Sequence, residues 1–433
     1  MRRVGALLSF VLFACSSSNV SPAPTPPAPA CTADAEHSDL GALSATVTYE
    51  PELTVALDDE GAVALTLAPK GELVLRRFAL DGTERDPFTV ATGVTLPGGD
   101  RRLSSLSLAY SGGLYFAAWE GTDEAIHARV LAADGTGAAA TVVSPKTRAL
   151  PGGAKNVTPF SPRWRVHAGT IALTWTEQVP NAGGAVYPIA LYGADGARVD
   201  QGDIFITQYE LGATFYFGDV DVQGDTLQVQ GWVQGTGSIA DFATVWLVAD
   251  RSAPRKWTRT PISIEQPKGD VGRGASSLVA IDGGHVLVQL ARLAQGNTPR
   301  QRIEFVWLDA NGAPTATRFI PIADALPFFF GLDAFAAATQ LHVVWGDSAD
   351  PGGLSPTLHD ATMPLAAPAD PSVIDVPLSL QGKVPGRFEE LGAPDLRAKV
   401  RPGGIAFAYG WSEDGGSTSI THFGSTFRCA AAH

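Results

Sequence analysis

From residue 53 to residue 429 the chain is written in short apolar runs, each closed by glycine, aspartate or asparagine. One stretch shows the pattern well. Leu106, Leu108 and Tyr110 alternate with Ser107 and Ala109, then stop at Ser111, Gly112 and Gly113. Residues 114–119 (LYFAAW) follow and end in Trp119. Residues 126–131 (IHARVL) form a third run, Asp134 and Gly135 a turn, and residues 139–143 a fourth run. Short runs with period-two alternation and many β-branched or aromatic side chains predict strands. Asp-Gly accepts positive φ, which tight hairpin turns require. No long amphipathic helical period interrupts the pattern.

The four-run unit recurs. Corresponding turns fall at Asp81, Asp134, Asp195, Asp250 and Asn311, spaced 53, 61, 55 and 61 residues apart. Seven units count out between Leu53 and Cys429. A four-stranded sheet cannot cover both of its own faces, whereas neighbours in a ring cover each other. The reading is therefore all-β: a seven-bladed β-propeller of four-stranded antiparallel blades. The units resemble sialidase-like or WD40-like propeller repeats. Trp119, Trp175, Trp232, Trp345 and Trp411 recur near the end of the second run and are expected to pack blade against blade. Residues 43–49 also alternate like a strand. They are expected to pair with the last blade and close the ring, which removes an exposed sheet edge.

The N-terminus reads differently. Arg2 and Arg3 precede an apolar stretch, residues 4–14, that is too short to span a bilayer. Leu12, Phe13, Ala14 and Cys15 then resemble the lipobox of bacterial lipoproteins. That resemblance implies a signal peptide at 1–14 and a lipid on Cys15. Residues 16–30 (SSSNVSPAPTPPAPA) cannot bury a core, and their prolines favour an extended chain. Residues 15–30 are thus an anchor and tether, and residues 31–433 the propeller domain. Ser16 after the anchor implies an outer-membrane or cell-surface location, outside the cytoplasm. Two further cysteines remain, Cys31 and Cys429, one near each end of the domain. In an oxidising compartment they are expected to form a disulfide.

Charge narrows the partners. The formal net charge is −13, and only 17 % of residues are charged. So acidic a chain is not built to bind phosphate backbones, so nucleic acid is excluded as a partner. The eight histidines are scattered and no cysteine pair is left over, so no metal site and no cofactor is expected. Asp219, Asp221 and Asp225 could be taken for a calcium loop. They align instead with a first strand and its turn, which predicts Val220 and Val222 facing inward and the aspartates outward.

Acids follow the recurring tryptophans at one or two residues: Glu120, Glu177, Asp347 and Glu413, with Gln234 in the same place. There the second strand enters its loop. These four acids are the candidate ligand-binding residues, and the loops at 178–186, 235–242, 292–301 and 347–357 accompany them. Residues 412–418 (SEDGGST) resemble one copy of the hairpin box of sialidase-like propellers. The closing aromatic is missing at Ser419, and the other units lack the box. Gly346, Asp347 and Ser348 match a lipase-like nucleophile block, but no late Asp-x-x-His accompanies them, and a nucleophilic serine needs a base in reach. No catalytic constellation is legible. The first reading is therefore a monomeric, envelope-anchored binding or scaffold module, with a glycan or envelope protein as its partner. The alternative is a propeller glycoside hydrolase or polysaccharide lyase that uses acids at the channel mouth.

Overall fold

The apolar runs pair into sheets largely as their alternation dictates. A computed structural model describes residues 42–43, 53–68, 70–80, 83–96, 105–147, 157–167, 170–178, 185–200, 204–207, 214–234, 242–250, 257–262, 270–295, 298–322, 328–348, 356–366, 368–377, 396–412 and 421–429. These residues form seven antiparallel sheets of four strands each. In six of them the strands follow chain order, so each is a simple up-and-down meander. The first strands of the sheets are Leu53–Leu57, Leu106–Ser111, Thr158–His167, Thr214–Gln223, Asp270–Ile281, Phe328–Ala337 and Leu396–Arg401. Each touches the first strand of the next sheet, and the seventh touches the first again. The first strands therefore ring the centre, and each sheet radiates from them as a blade.

The seventh blade is completed from the other end of the chain. Leu396–Arg401, Gly404–Ser412 and Thr421–Cys429 supply three strands, and Ala42–Leu43 adds the outermost. Ala42 pairs with His422 and Leu43 with Thr421. The N-terminal segment thus closes the ring, through Leu43 of the run expected to do so and Ala42 just before it. The rest of that run lies outside the described residues. So do the proposed signal, anchor and tether, with Cys15 and Cys31, so the lipid and the Cys31–Cys429 bridge remain expectations. Cys429 ends the last strand.

The core is distributed around the ring. Seven clusters of buried apolar residues occur, and each straddles one seam between neighbouring blades. Val63 and Leu75 of the first blade meet Leu106 and Trp119 of the second. Phe116 meets Trp164 and Trp175 at the next seam. Leu53 and Val55 meet Ala406 and Phe427 where the ring closes. Fully burying one such side chain contributes about 1.5–3 kcal/mol. Trp119, Trp175 and Trp345 lie in seam clusters as expected, and Trp232 reaches over a seam to donate Nε1–H to Gln289 Oε1 at 3.3 Å. The side chain of Trp411 lies outside the described residues.

One expectation about loops is corrected. Residues 292–301 are not a loop. Gly284–Gln295 and Thr298–Asp309 continue their ladder through Arg292–Gln301, Leu293–Arg300 and Gln295–Thr298.

Candidate functional site

The inner strands carry polar residues at matching positions. Thr54 lies opposite Leu65, Ser107 opposite Ala118, Arg163 opposite Thr174, and Asp219 opposite Gln230. Asp333 lies opposite Val344 and Arg397 opposite Ala408. An inner strand is covered on both faces by its neighbours, so a polar side chain there must find partners at the centre of the ring. Several do so by the same device. Ser107 Oγ accepts the backbone N–H of Trp164 at 2.8 Å, Asp219 Oδ2 that of Leu278 at 2.8 Å, and Asp333 Oδ2 that of Ala398 at 2.9 Å. Each bond ties one blade to the inner strand of the next.

Around this layer the charged groups of four blades converge. His167 Nε2 lies 3.0 Å from Asp219 Oδ1, and Arg165 Nε lies 3.6 Å from the same oxygen. The charge of Arg397, on the inner strand of the seventh blade, acts on both Arg165 and Asp333. Beside it, Asp221 accepts from Thr170 Oγ1 at 2.7 Å and pairs with His285 Nε2 at 2.8 Å. Arg165 keeps 25 % of its side chain accessible although it lies on an inner strand.

The electrostatics separate the two central carboxyls. Burial alone pushes the Asp219 carboxyl up, but His167 and Arg165 beside it more than reverse this and hold it below the usual carboxylate range. Burial also pushes Asp333 up, and there Arg397 and the Ala398 N–H do not cancel it, so the carboxyl stays raised. Burial would lower His167, yet the Asp219 carboxylate outweighs it and raises the imidazole. Burial lowers Arg165, against the pull of Asp219, and the nearby charge of Arg397 adds to the lowering. Asp221 resists burial through His285 and Thr170 and is brought down to about 2.

The acids marked in the sequence lie elsewhere. Glu120 ends the second strand of its blade, is 2 % exposed, and donates its backbone N–H to Ser105 O at 2.9 Å. Glu177 is fully buried. Its Oε1 accepts from Ser144 Oγ at 2.6 Å and from Trp175 Nε1 at 2.8 Å. Asp347 Oδ2 accepts from Trp345 Nε1 at 3.2 Å and lies 3.0 Å from His359 Nε2, whose Nδ1 is 2.8 Å from Asp375. Glu413 lies outside the described residues. The two-residue spacing after tryptophan thus places Glu177 and Asp347 on the same strand face as the indole, where each accepts its N–H.

The central cluster was missed for a physical reason. Asp219 and Asp221 are 1 % and 2 % exposed, not outward-facing as their alternation with Val220 and Val222 implied. Alternation separates core from solvent only when one sheet face is wet, and the inner strand has no wet face. The available signal was the charge itself: Arg165-x-His167 and Asp219-x-Asp221 set charged side chains two apart on first strands.

No protein-family model matches this chain, and no curated protein matches its sequence. Its fold does have solved counterparts. One is an α-L-arabinofuranosidase of glycoside hydrolase family 93 from Fusarium graminearum, in complex with arabinobiose. It matches with a TM-score of 0.50 at 8 % identity over 77 % of this chain and 95 % of that one. Another is the polysaccharide lyase Uly1, with a TM-score of 0.50 at 9 % identity over 86 % and 89 %. At such identities the likeness is one of fold.

Proposed function

We propose that this propeller cleaves a glycan, as a glycoside hydrolase or polysaccharide lyase, with its reaction centre in the bore. One observation carries the reading. Two inner-strand carboxyls differ in ionisation, Asp219 held below the usual carboxylate range and Asp333 raised above it. Paired groups whose environments drive their ionisation apart are what acid–base chemistry at a glycosidic bond requires. Asp333 is assigned as proton donor to the leaving oxygen, while the buried Asp219 orients His167 and Arg165 beside it. The solved counterparts named above, a hydrolase and a lyase acting on sugars, support the substrate class. A lipid on Cys15 would hold this activity at the cell envelope.

The scaffold reading keeps one observation in its favour: Asp219 and Asp333 also staple neighbouring blades. A single substitution separates the two. Asp333→Asn retains an oxygen for the Ala398 N–H but cannot deliver a proton. Full-length protein is incubated with a panel of neutral and acidic polysaccharides. New reducing ends report hydrolysis, and ultraviolet-absorbing unsaturated ends report elimination. The variant is expected to lose about 100-fold or more of the turnover while melting close to the parent. A panel that yields neither kind of end, or a variant as active as the parent, rejects the proposal.

A further inference from the structure

Blade six holds a histidine between two carboxylates. Its second, third and fourth strands are Gln340–Ser348, Pro356–Pro364 and Ser372–Pro377. His359, on the third, lies opposite Trp345 on one side and Asp375 on the other. Residues directly opposite on adjacent strands share a face of the sheet. The imidazole lies flat on the Trp345 indole, 4.8 Å between ring centres and 20° from parallel. Its Nδ1 is 2.8 Å from Asp375 Oδ1. Its Nε2 is 3.0 Å from Asp347 Oδ2, the same oxygen that accepts Trp345 Nε1–H. This second approach is off the line of a hydrogen bond, so it is held by charge. Across the seam, blade five presents Ile303, Ile320 and Ile322 to the cluster that contains Trp345. Among the described residues, Asp347 and Asp375 are the charged groups that face His359.

Both imidazole nitrogens are donors only in the protonated ring. The neutral ring keeps one N–H and turns a lone pair toward its other partner. Here both partners are carboxylates, so loss of the proton changes one attraction into a repulsion. The aligned bond to Asp375 keeps the remaining N–H, and the contact with Asp347 is given up. Asp347 also holds the indole, so the stack against blade five is disturbed with it. We propose that His359 is a proton-operated lock on the seam between blades five and six, closed when the ring is charged and loosened when it is neutral. The lock sets how firmly the blade that carries Asp333 is held to its neighbour. Blade two supplies the contrast. His127 stacks on Trp119 at 5.4 Å, but its ring faces one carboxylate, Asp123. Burial alone would lower His359, yet Asp347 and Asp375 outweigh it and raise the imidazole. The stabilisation is therefore fully present below the unfolded value of about 6.5 and is lost as pH rises through the folded one.

The test follows full-length protein, labelled with nitrogen-15 in histidine and tryptophan, by nuclear magnetic resonance from about pH 5 to about pH 9. The His359 ring and the Trp345 indole N–H, assigned by their loss in His359→Gln and Trp345→Phe, are expected to move together with one midpoint above about 6.5. Asp375→Asn, at an exposed carboxyl, is expected to lower that midpoint by about one pH unit. His127→Gln is expected to leave it unchanged. In urea, the parent's advantage over His359→Gln is expected to shrink as pH rises across the same midpoint. An indole resonance that ignores the His359 titration overturns the lock, as does a urea advantage that is constant with pH. A midpoint untouched by Asp375→Asn overturns the two-carboxylate clamp, and that exposed variant decides alone if His359→Gln does not fold.

Discussion

At the scale of single residues, the centre of the ring is held by charge that must stay ionised. Asp221 is the clearest case, nearly inaccessible and satisfied by Thr170, His285 and its neighbour's N–H. Its folded value of about 2 lies below the ordinary aspartate value of about 3.9. The sign follows directly. A depressed carboxyl adds stability that is fully present above its unfolded value and is lost as pH falls through the folded value. The difference amounts to at most about 2.6 kcal/mol. Urea midpoints at neutral pH and at about pH 3 should therefore show the parent losing more stability on acidification than Asp221→Asn. Equal losses would remove Asp221 from the account. His167 has the opposite sign: its raised value means that its pairing with Asp219 weakens as pH rises through it.

At the scale of elements, hairpins decide how closely blades approach. Asn311-Gly312 turns with Gly312 at φ 77°, a left-handed conformation that suits glycine. A side-chain carbon there would also sit 2.2 Å from the ring of Trp246 in the preceding blade. Gly224 occupies a similar turn at φ 59° with open space around it. Gly224→Ala should thus cost about 1 kcal/mol from the backbone alone. Gly312→Ala should cost at least about 2 kcal/mol, because a fully buried indole has to move. Equal shifts in denaturation midpoint would show that the turn, not the seam, sets the cost. These hairpins were legible in the sequence, since Asp-Gly and Asn-Gly state their backbone requirement locally. The ionic centre was not. Arg165, Asp219 and Asp333 are far apart in sequence, and each in isolation resembles a strand residue pointing to water. Their meeting depends on which strand is innermost, and alternation does not encode that.

At the scale of the whole molecule, the seam clusters explain the tolerance for uneven blades. Each sheet leans on two neighbours, so none needs a core of its own. The seventh seam, where Leu53 and Val55 meet Ala406 and Phe427, is formed only when the ring is shut. The edge strand Ala42–Leu43 pairs with Thr421 and His422 at the start of the outer edge of Thr421–Cys429. Leu43→Pro removes an N–H from that pairing and reopens the edge. A lower melting temperature together with added light scattering is expected, because bare strand edges recruit other chains. An unchanged melt without association would show that closure rests on the seam alone.

That closing pair has a consequence in time. A ribosome delivers Ala42 and Leu43 long before their partner His422. Until then the nascent chain is an arc whose first and latest blades each present a bare apolar face. The ring becomes one object only once Thr421 and His422 have joined it, so the unfinished arc is the state in which those bare faces can meet other chains.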